Sequence, residues 1–551
     1  MDVPGPLLDA FQAIFGAGDS DHPWWLLVVR MDILLFAALA LAAAYRAVRH
    51  GWGEIRVGDL LALAGLTLLA GILRIGVVEW NVLDHGGIAY SRMLWGYMGY
   101  FGVAQLQAPW LQATTRDLEH AVAVARVLST LTVPAVYVLM RFAVRGPLLP
   151  AALSAFLLAV FPLHVLAAAS TFESTYCLFV AAVSWGLIAA ATGLPADRAT
   201  DARLRYAAGF LGIALATQMR VDGALLLIPP AVWLVVRRRD VRAAHLLPAL
   251  AVGLPFLAFF AACMAGSGLV RNAPPASVAR EWADIVDWVL LNPLFLAPVL
   301  FAGSCLAFLA GPTAGVLALL AWVLAFGPSL LAQPEAHHKA RMFLAHLLPL
   351  LLFPAWGVHL LTERNERWGR AATALAIVLF GLLPVAYTAN LQTPYLERRD
   401  HEAFRAALEA APPDTAVVVV PDDSVMRREL GTTHEYLNKY LSIPVPPRLT
   451  GVRVVGMTGF MEHPESFDCT TRTCVFYEGM SCAAEDHEVS VVAASSLQCR
   501  RLVETRGASV AFRTTSSAPP FLKCTLATGA LRATECRPTA REVAFTLHVV
   551  R

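Results

Sequence analysis

Apolar runs about the length of a bilayer-spanning helix recur along the first 391 positions, and this repetition constrains the chain more than any other feature. The runs fall at 24–45, 59–78, 119–141, 148–168, 171–193, 206–219, 221–236, 244–265, 289–311, 313–332, 341–361 and 370–391. One soluble core cannot hold so many of them, so most must face lipid or one another. The expected architecture is an all-α polytopic membrane domain of about twelve transmembrane helices. Two runs, 206–219 and 221–236, are short and read either as a re-entrant pair or as two tilted half-spans. Charged residues are 15% of the chain, against about 25% in ordinary soluble proteins, and they become commoner only after the last run.

Basic residues set the orientation. Arg46, Arg49 and Arg56 follow the first run, Arg141 and Arg145 the third, and Arg198, Arg203 and Arg205 the fifth. Arg237, Arg238, Arg239 and Arg242 follow the seventh, and Arg364, Arg367 and Arg370 the eleventh. With twelve spans all five clusters share one side, which the positive-inside bias makes the cytoplasm. Both termini are then outside, with an N-terminal tail over 1–23 and long exterior loops over 79–118 and 266–288. The tail is acidic (Asp2, Asp9, Asp19, Asp21) and lacks the basic-then-apolar order of a cleavable signal peptide. The expected location is the inner (plasma) membrane. A net charge of +2 says little about partners, and no nucleic-acid partner is expected.

From 392 to 551 the pattern changes to that of a small exterior domain, mixed α/β or mainly β. His401 to Ala411 reads as an amphipathic helix, Pro412-Pro413-Asp414 as a turn, and Ala416 to Val420 as a buried strand. Apolar alternations recur at 452–455, 489–492, 510–512 and 543–550. Six of the nine cysteines lie here: Cys469, Cys474, Cys482, Cys499, Cys524 and Cys536. An even number in an oxidising compartment predicts three disulfides, with the pairing open. Zinc is the lesser reading, because no CxxC pair is present.

Polar groups at the exterior boundary are the candidate site, since a charge there is costly unless solvated, paired or used. Asp84 and His85 follow the second run and precede Gly86-Gly87, which lets the backbone turn sharply. Asp84 could take a proton from an attacking hydroxyl or help bind a divalent metal ion; the plain alternative is an ordinary loop aspartate. Glu173 sits in the short link between the fourth and fifth runs, with His164 just before it. Ser170 and Glu173 also satisfy a helix capping box, which would need no catalysis. Lys339 and Arg341 open the eleventh run on the exterior side, against the charge bias, and suit an anionic phosphate. Lipid-headgroup snorkelling is the structural alternative for Arg341.

Taken in order, these pieces resemble the GT-C superfamily of membrane glycosyltransferases, especially its protein-mannosyltransferase-like and aminoarabinose-transferase-like branch. Asp84-His85 with Tyr90 stands where that family has an Asp-Glu motif and a tyrosine, and Ala125-Arg126-Val127-Leu128 resembles its next span. Phe161-Pro162-Leu163-His164 with Glu173 resembles the following exterior turn, and Gly212 to Thr217 with Arg220 a later segment. Arg341-Met342-Phe343-Leu344 with Pro349 resembles the last. His85 and Met342 depart from the family's usual glutamate and tyrosine.

The resemblance implies transfer of a sugar, with inversion, from a polyprenyl-phosphate-linked donor to an exterior acceptor, which could be protein, lipid or glycan. It casts Asp84 as base, Glu173 and His85 as support, and Arg341, Lys339 and Arg220 as the binders of the departing phosphate. A divalent ion is compatible with this set. Two rivals are a transporter or flippase of a lipid-linked substrate, and an assembly protein working through its C-terminal domain. A transporter would want mid-membrane charges or internal repeats, and no repeat is evident.

Overall fold

The computed structural model describes residues 23–50, 55–75, 118–168, 173–219, 226–266, 347–378, 397–421, 440, 443, 445–479, 482, 490–517, 521–524, 536–539 and 542–550. The helical body contains α1 (Pro23–Arg49), α2 (Val57–Ile75), α3 (Leu118–Val138), α4 (Leu148–Val160), α5 (Pro162–Ala167), α6 (Glu173–Ala191) and α7 (Ala199–Met219). It continues with α8 (Ile228–Val236), α9 (Ala243–Gly266), α10 (Leu347–Arg364) and α11 (Glu366–Ile377). Three stretches among the described residues, Met31–Arg49, Val57–Ile75 and Val122–Ala143, are long and apolar enough to cross a membrane. The expected twelve spans are a larger number than these three, and the runs at 289–311 and 313–332 lie outside the described residues.

Local chemistry explains where runs break. The run expected at 148–168 splits because Phe161 precedes Pro162, and a residue before proline is pushed to extended backbone; Phe161 has ψ 117°. A five-residue π turn, Leu139–Ala143, carries α3 on to Arg141 at the helix end. The short run expected at 206–219 belongs to a full 21-residue helix, α7. This helix is central and packs against α1, α6 and α9. It is buried on every side, from Tyr206 through Phe210, Leu211, Ile213 and Ala214 to Thr217. Small residues allow that approach. A Cβ on Gly212 would overlap Ser184 Oγ and stand 2.6 Å from Phe36, and one on Gly209 would stand 2.5 Å from Ile188. Away from this centre, Leu34, Leu41, Leu60, Leu61, Leu68 and Ile72 are exposed apolar side chains on α1 and α2, as a lipid-facing surface requires.

The C-terminal domain is mixed α/β and mostly parallel at its centre. Its elements are α12 (Glu397–Ala410), β1 (Thr415–Val420), β2 (Arg453–Gly456), α13 (Met457–Glu462), β3 (Thr473–Glu478), α14 (Ser490–Thr505), β4 (Ser509–Ser517), β5 (Phe521–Cys524), β6 (Cys536–Thr539) and β7 (Glu542–Val550). The main sheet runs β2-β1-β3-β7-β4, with β1 parallel to both neighbours and β7 antiparallel to both of its own. All six residues of β1 are buried, which is why it reads as a continuous apolar run. Phe404, Val418, Val420, Val475 and Tyr477 form the core on the α12 face; Val417, Val419, Phe460, Phe476 and Leu502 form the other.

The alternation expected as a strand near 489–492 is instead the start of α14. Cys499, Leu502 and Val503, at helical spacing, turn that segment's apolar side to the sheet. Two of the three expected disulfides are present, Cys469–Cys474 and Cys482–Cys499. The backbone register of β5 and β6 sets Cys524 directly opposite Cys536. Asp400, at the start of α12, accepts hydrogen bonds from the hydroxyls of Tyr440 and Tyr477, each at 2.9 Å, and so locks helix to sheet. Burial, and then the Asp400 charge, push the Tyr477 phenol well above its ordinary pKa, which keeps it a donor.

Candidate functional site: a buried cationic network

The residues singled out by sequence are not brought together by what the structure describes. Asp84, His85, Arg220, Lys339 and Arg341 lie outside the described residues. Glu173 opens α6, but its side chain is likewise outside them. Among the described residues no group of three His, Cys, Asp or Glu could hold a metal ion.

What the structure does assemble is a network rooted on Arg74, one residue from the end of α2 and just before the segment that carries Asp84 and His85. Arg74, Ser129 and His164 are all fully buried. Arg74 Nε donates to Ser129 Oγ at 2.6 Å, and Nη1 donates to the carbonyls of Ala70 and Ala159, both at 3.1 Å. Nη2 stands 2.7 Å from His164 Nδ1. Since a guanidinium can only donate, Nδ1 must be the acceptor, and the imidazole proton sits on Nε2. Nε2 then donates to Ser129 Oγ at 3.1 Å, and the serine hydroxyl faces the His164 carbonyl at 3.4 Å. Every partner is neutral: among the described residues no carboxylate meets Arg74.

The local sequence explains the placement. Ala70 is one turn below Arg74, and Ala159 sits at the carboxyl end of α4, where carbonyls lack helical partners and favour a cation. The Phe161-Pro162 break starts a new short helix, and α5 delivers His164 to the same point. Arg74 was not among the sequence candidates. Its signal is a single cation inside an apolar run, five residues before Glu79, which lies outside the described residues. The sequence marks His164 only as a neighbour of Glu173.

The opposite end of α2 holds a different arrangement. Asp59 Oδ1 accepts from the Tyr137 hydroxyl at 2.6 Å and from Arg141 Nε at 2.7 Å, while Oδ2 accepts from the Arg56 backbone at 3.0 Å. This end also gathers the arginine-bearing connections: Arg46 pairs with Asp201, Arg198 donates to the His50 carbonyl, and Gly193 N donates to Asp240 O. The expected common side of these clusters is therefore seen directly for the connections after α1, α3, α6 and α8.

These features define a class: a membrane protein with a helical body, an arginine-lined end, a buried cationic network toward the other end, and a disulfide-braced α/β domain. No family model matches the chain, and no curated protein matches it. Two solved structures of the oligosaccharyltransferase from Archaeoglobus fulgidus are similar to it. The first, a complex with zinc and sulfate, has a TM-score of 0.45 and 15% identity, over 71% of this chain and 62% of that one. The second, in the apo form, has a TM-score of 0.42 and 14% identity, over 66% and 62%. This chain thus spans less than two thirds of the oligosaccharyltransferase's length. At that TM-score the likeness carries no weight for activity, substrate or ligand.

Proposed function

We propose that this protein is a membrane glycosyltransferase that moves a sugar from a polyprenyl-phosphate-linked donor to an acceptor on the exterior side. The observation that supports it most is the Arg74 network. A buried guanidinium without a carboxylate partner is expensive, and such groups persist inside membranes chiefly where a function uses them. Four neutral acceptors offset part of that cost and leave the charge itself in place. The network also stands at the root of the segments that carry Asp84 and Glu173. A fixed cation there favours an anionic group, and most of all one whose charge grows during reaction.

In this reading Asp84 accepts the proton of the acceptor hydroxyl as its oxygen attacks the anomeric carbon. The bond from that carbon to the phosphate oxygen breaks on the opposite face, and the configuration inverts. The electron pair stays with the polyprenyl phosphate, neutralised by Arg341 with Lys339 and Arg220. Glu173 and His85 orient the acceptor.

The test uses purified full-length protein in nanodiscs with radiolabelled polyprenyl-phosphate hexose or aminoarabinose as probes. Consumption of one donor, lost in Asp84→Asn and impaired at saturation in Arg341→Ala, is expected. Donors left intact and unbound by the wild type would remove the reading.

A further inference from the structure

The arginine-lined end does more than the positive-inside bias requires. An arginine that serves only to orient a span can extend freely into water, as exposed Arg238 and Arg239 do. Others at this end are held in place. Arg203 Nε donates to the Ala244 carbonyl at 3.2 Å, which ties the start of α7 to the start of α9. Arg198 donates to His50 O at 3.1 Å, joining the connection after α6 to that after α1. Arg205 is only 6% exposed, yet its guanidinium makes one hydrogen bond, from Nη1 to Ala190 O at 3.0 Å, and no ion pair among the described residues. Asp201, on the same helix, is taken by Arg46.

Like charges are crowded here. His245 is 5% exposed, and the two groups acting electrostatically on its ring are Arg242 and Arg203. Arg205 feels both Asp201, which favours its charge, and Arg198, which opposes it. Among the described residues the other acids on these connections are Asp240, which pairs with Arg237, and exposed Asp197. Arg203, held on the Ala244 carbonyl two residues from Arg242, has no acidic partner among the described residues, nor has Arg242 or Arg198, so this corner of the body is short of an anion.

We propose that Arg203 and Arg242, backed by Arg198, Arg205 and His245, bind the phosphate of an anionic phospholipid in the leaflet at this end. Phosphate suits paired guanidinium forks. A lipid headgroup fits better than free phosphate because apolar side chains flank the cations: Val235 is 69% and Leu247 62% exposed. That places charge beside hydrocarbon, as at the headgroup–acyl boundary, and the cytoplasmic leaflet supplies anionic lipid. The site is independent of the sugar-transfer reading, since it lies at the end of the body away from Arg74.

The experiment is native mass spectrometry of the full chain released from mixed micelles containing phosphatidylglycerol, phosphatidylcholine or inorganic phosphate. The wild type should retain phosphatidylglycerol in preference to phosphatidylcholine. R203Q/R242Q should bind it about tenfold more weakly, R203K/R242K, which keeps the charge without the fork, should fall between the two, and R238Q/R239Q should match the wild type. Equal retention of the two lipids, or unchanged retention in R203Q/R242Q, would overturn the proposal. So would an equal loss in R238Q/R239Q, which would mean a diffuse basic surface, or efficient displacement by inorganic phosphate.

Discussion

Two buried arginine networks sit on the same helix pair, α2 and α3, about 22 Å apart along α2 at 1.5 Å per residue. Near the arginine-lined end Arg141 meets Asp59, a carboxylate that is 1% exposed, and Tyr137 completes the cluster. There the charges cancel, and the group works as a staple between helices. Toward the other end Arg74 meets a serine, a histidine and two carbonyls, and no carboxylate among the described residues. Among the described residues, the same residue type on the same helices is therefore closed by a carboxylate at one end and not at the other.

Arg74→Met is the severest way to break this contrast. It strands Ser129, His164 and the Ala159 carbonyl, each at about 1–3 kcal/mol, and the unfolding midpoint in detergent should fall by an amount equivalent to about 3–5 kcal/mol after the relief of removing the buried charge. Arg74→Lys keeps the charge but loses the planar fork, so it should recover part of that stability and, if the sugar-transfer reading holds, part of the turnover. A lysine no better than methionine in donor binding would make Arg74 a packing residue only.

Asp59→Asn should cost less, about 2–3 kcal/mol, because Arg141 is 20% exposed and water takes over part of its solvation. The double variant Asp59→Asn/Arg141→Met should restore much of the loss, as expected of a self-cancelling pair. No recovery in that cycle would mean that the two ends are alike.

Smaller effects sharpen the same comparison. Ser129→Ala removes one acceptor of a charged donor and should cost about 1.5–3 kcal/mol. Tyr137→Phe removes one of several donors to Asp59 and should cost about 1 kcal/mol, read from the same melting curves. If Tyr137→Phe proved the costlier, Asp59 would be less well satisfied than its Arg141 and Arg56 contacts imply.

Much of the fold was legible because it is written locally. Apolar runs, the helix near 401–411 and the strand near 416–420 depend on residues within a turn or two of one another, whereas the break at Phe161-Pro162 divides what reads as one run over 148–168. The region near 489–492 misled because four residues with apolar alternation resemble a strand. Only the longer spacing through Cys499, Leu502 and Val503, packed on a sheet, shows the helix. In the candidate site, the short link between two runs marks Glu173, with His164 before it, while Arg74 carries no local signal beyond being a cation in an apolar run. Its partners Ser129, Ala159 and His164 are 55, 85 and 90 residues away, too far for any local pattern to join them.

The sequence by itself determined that this chain is a many-helix membrane protein with its arginines biased to one side and a cysteine-bearing domain after its last apolar run. Hydrocarbon selects length and polarity residue by residue, so those properties survive without coordinates. Tertiary structure alone decided which buried charge is cancelled and which is not. It also decided which arginines are pinned together and which cysteines meet, because each of these depends on distances between segments remote in the chain.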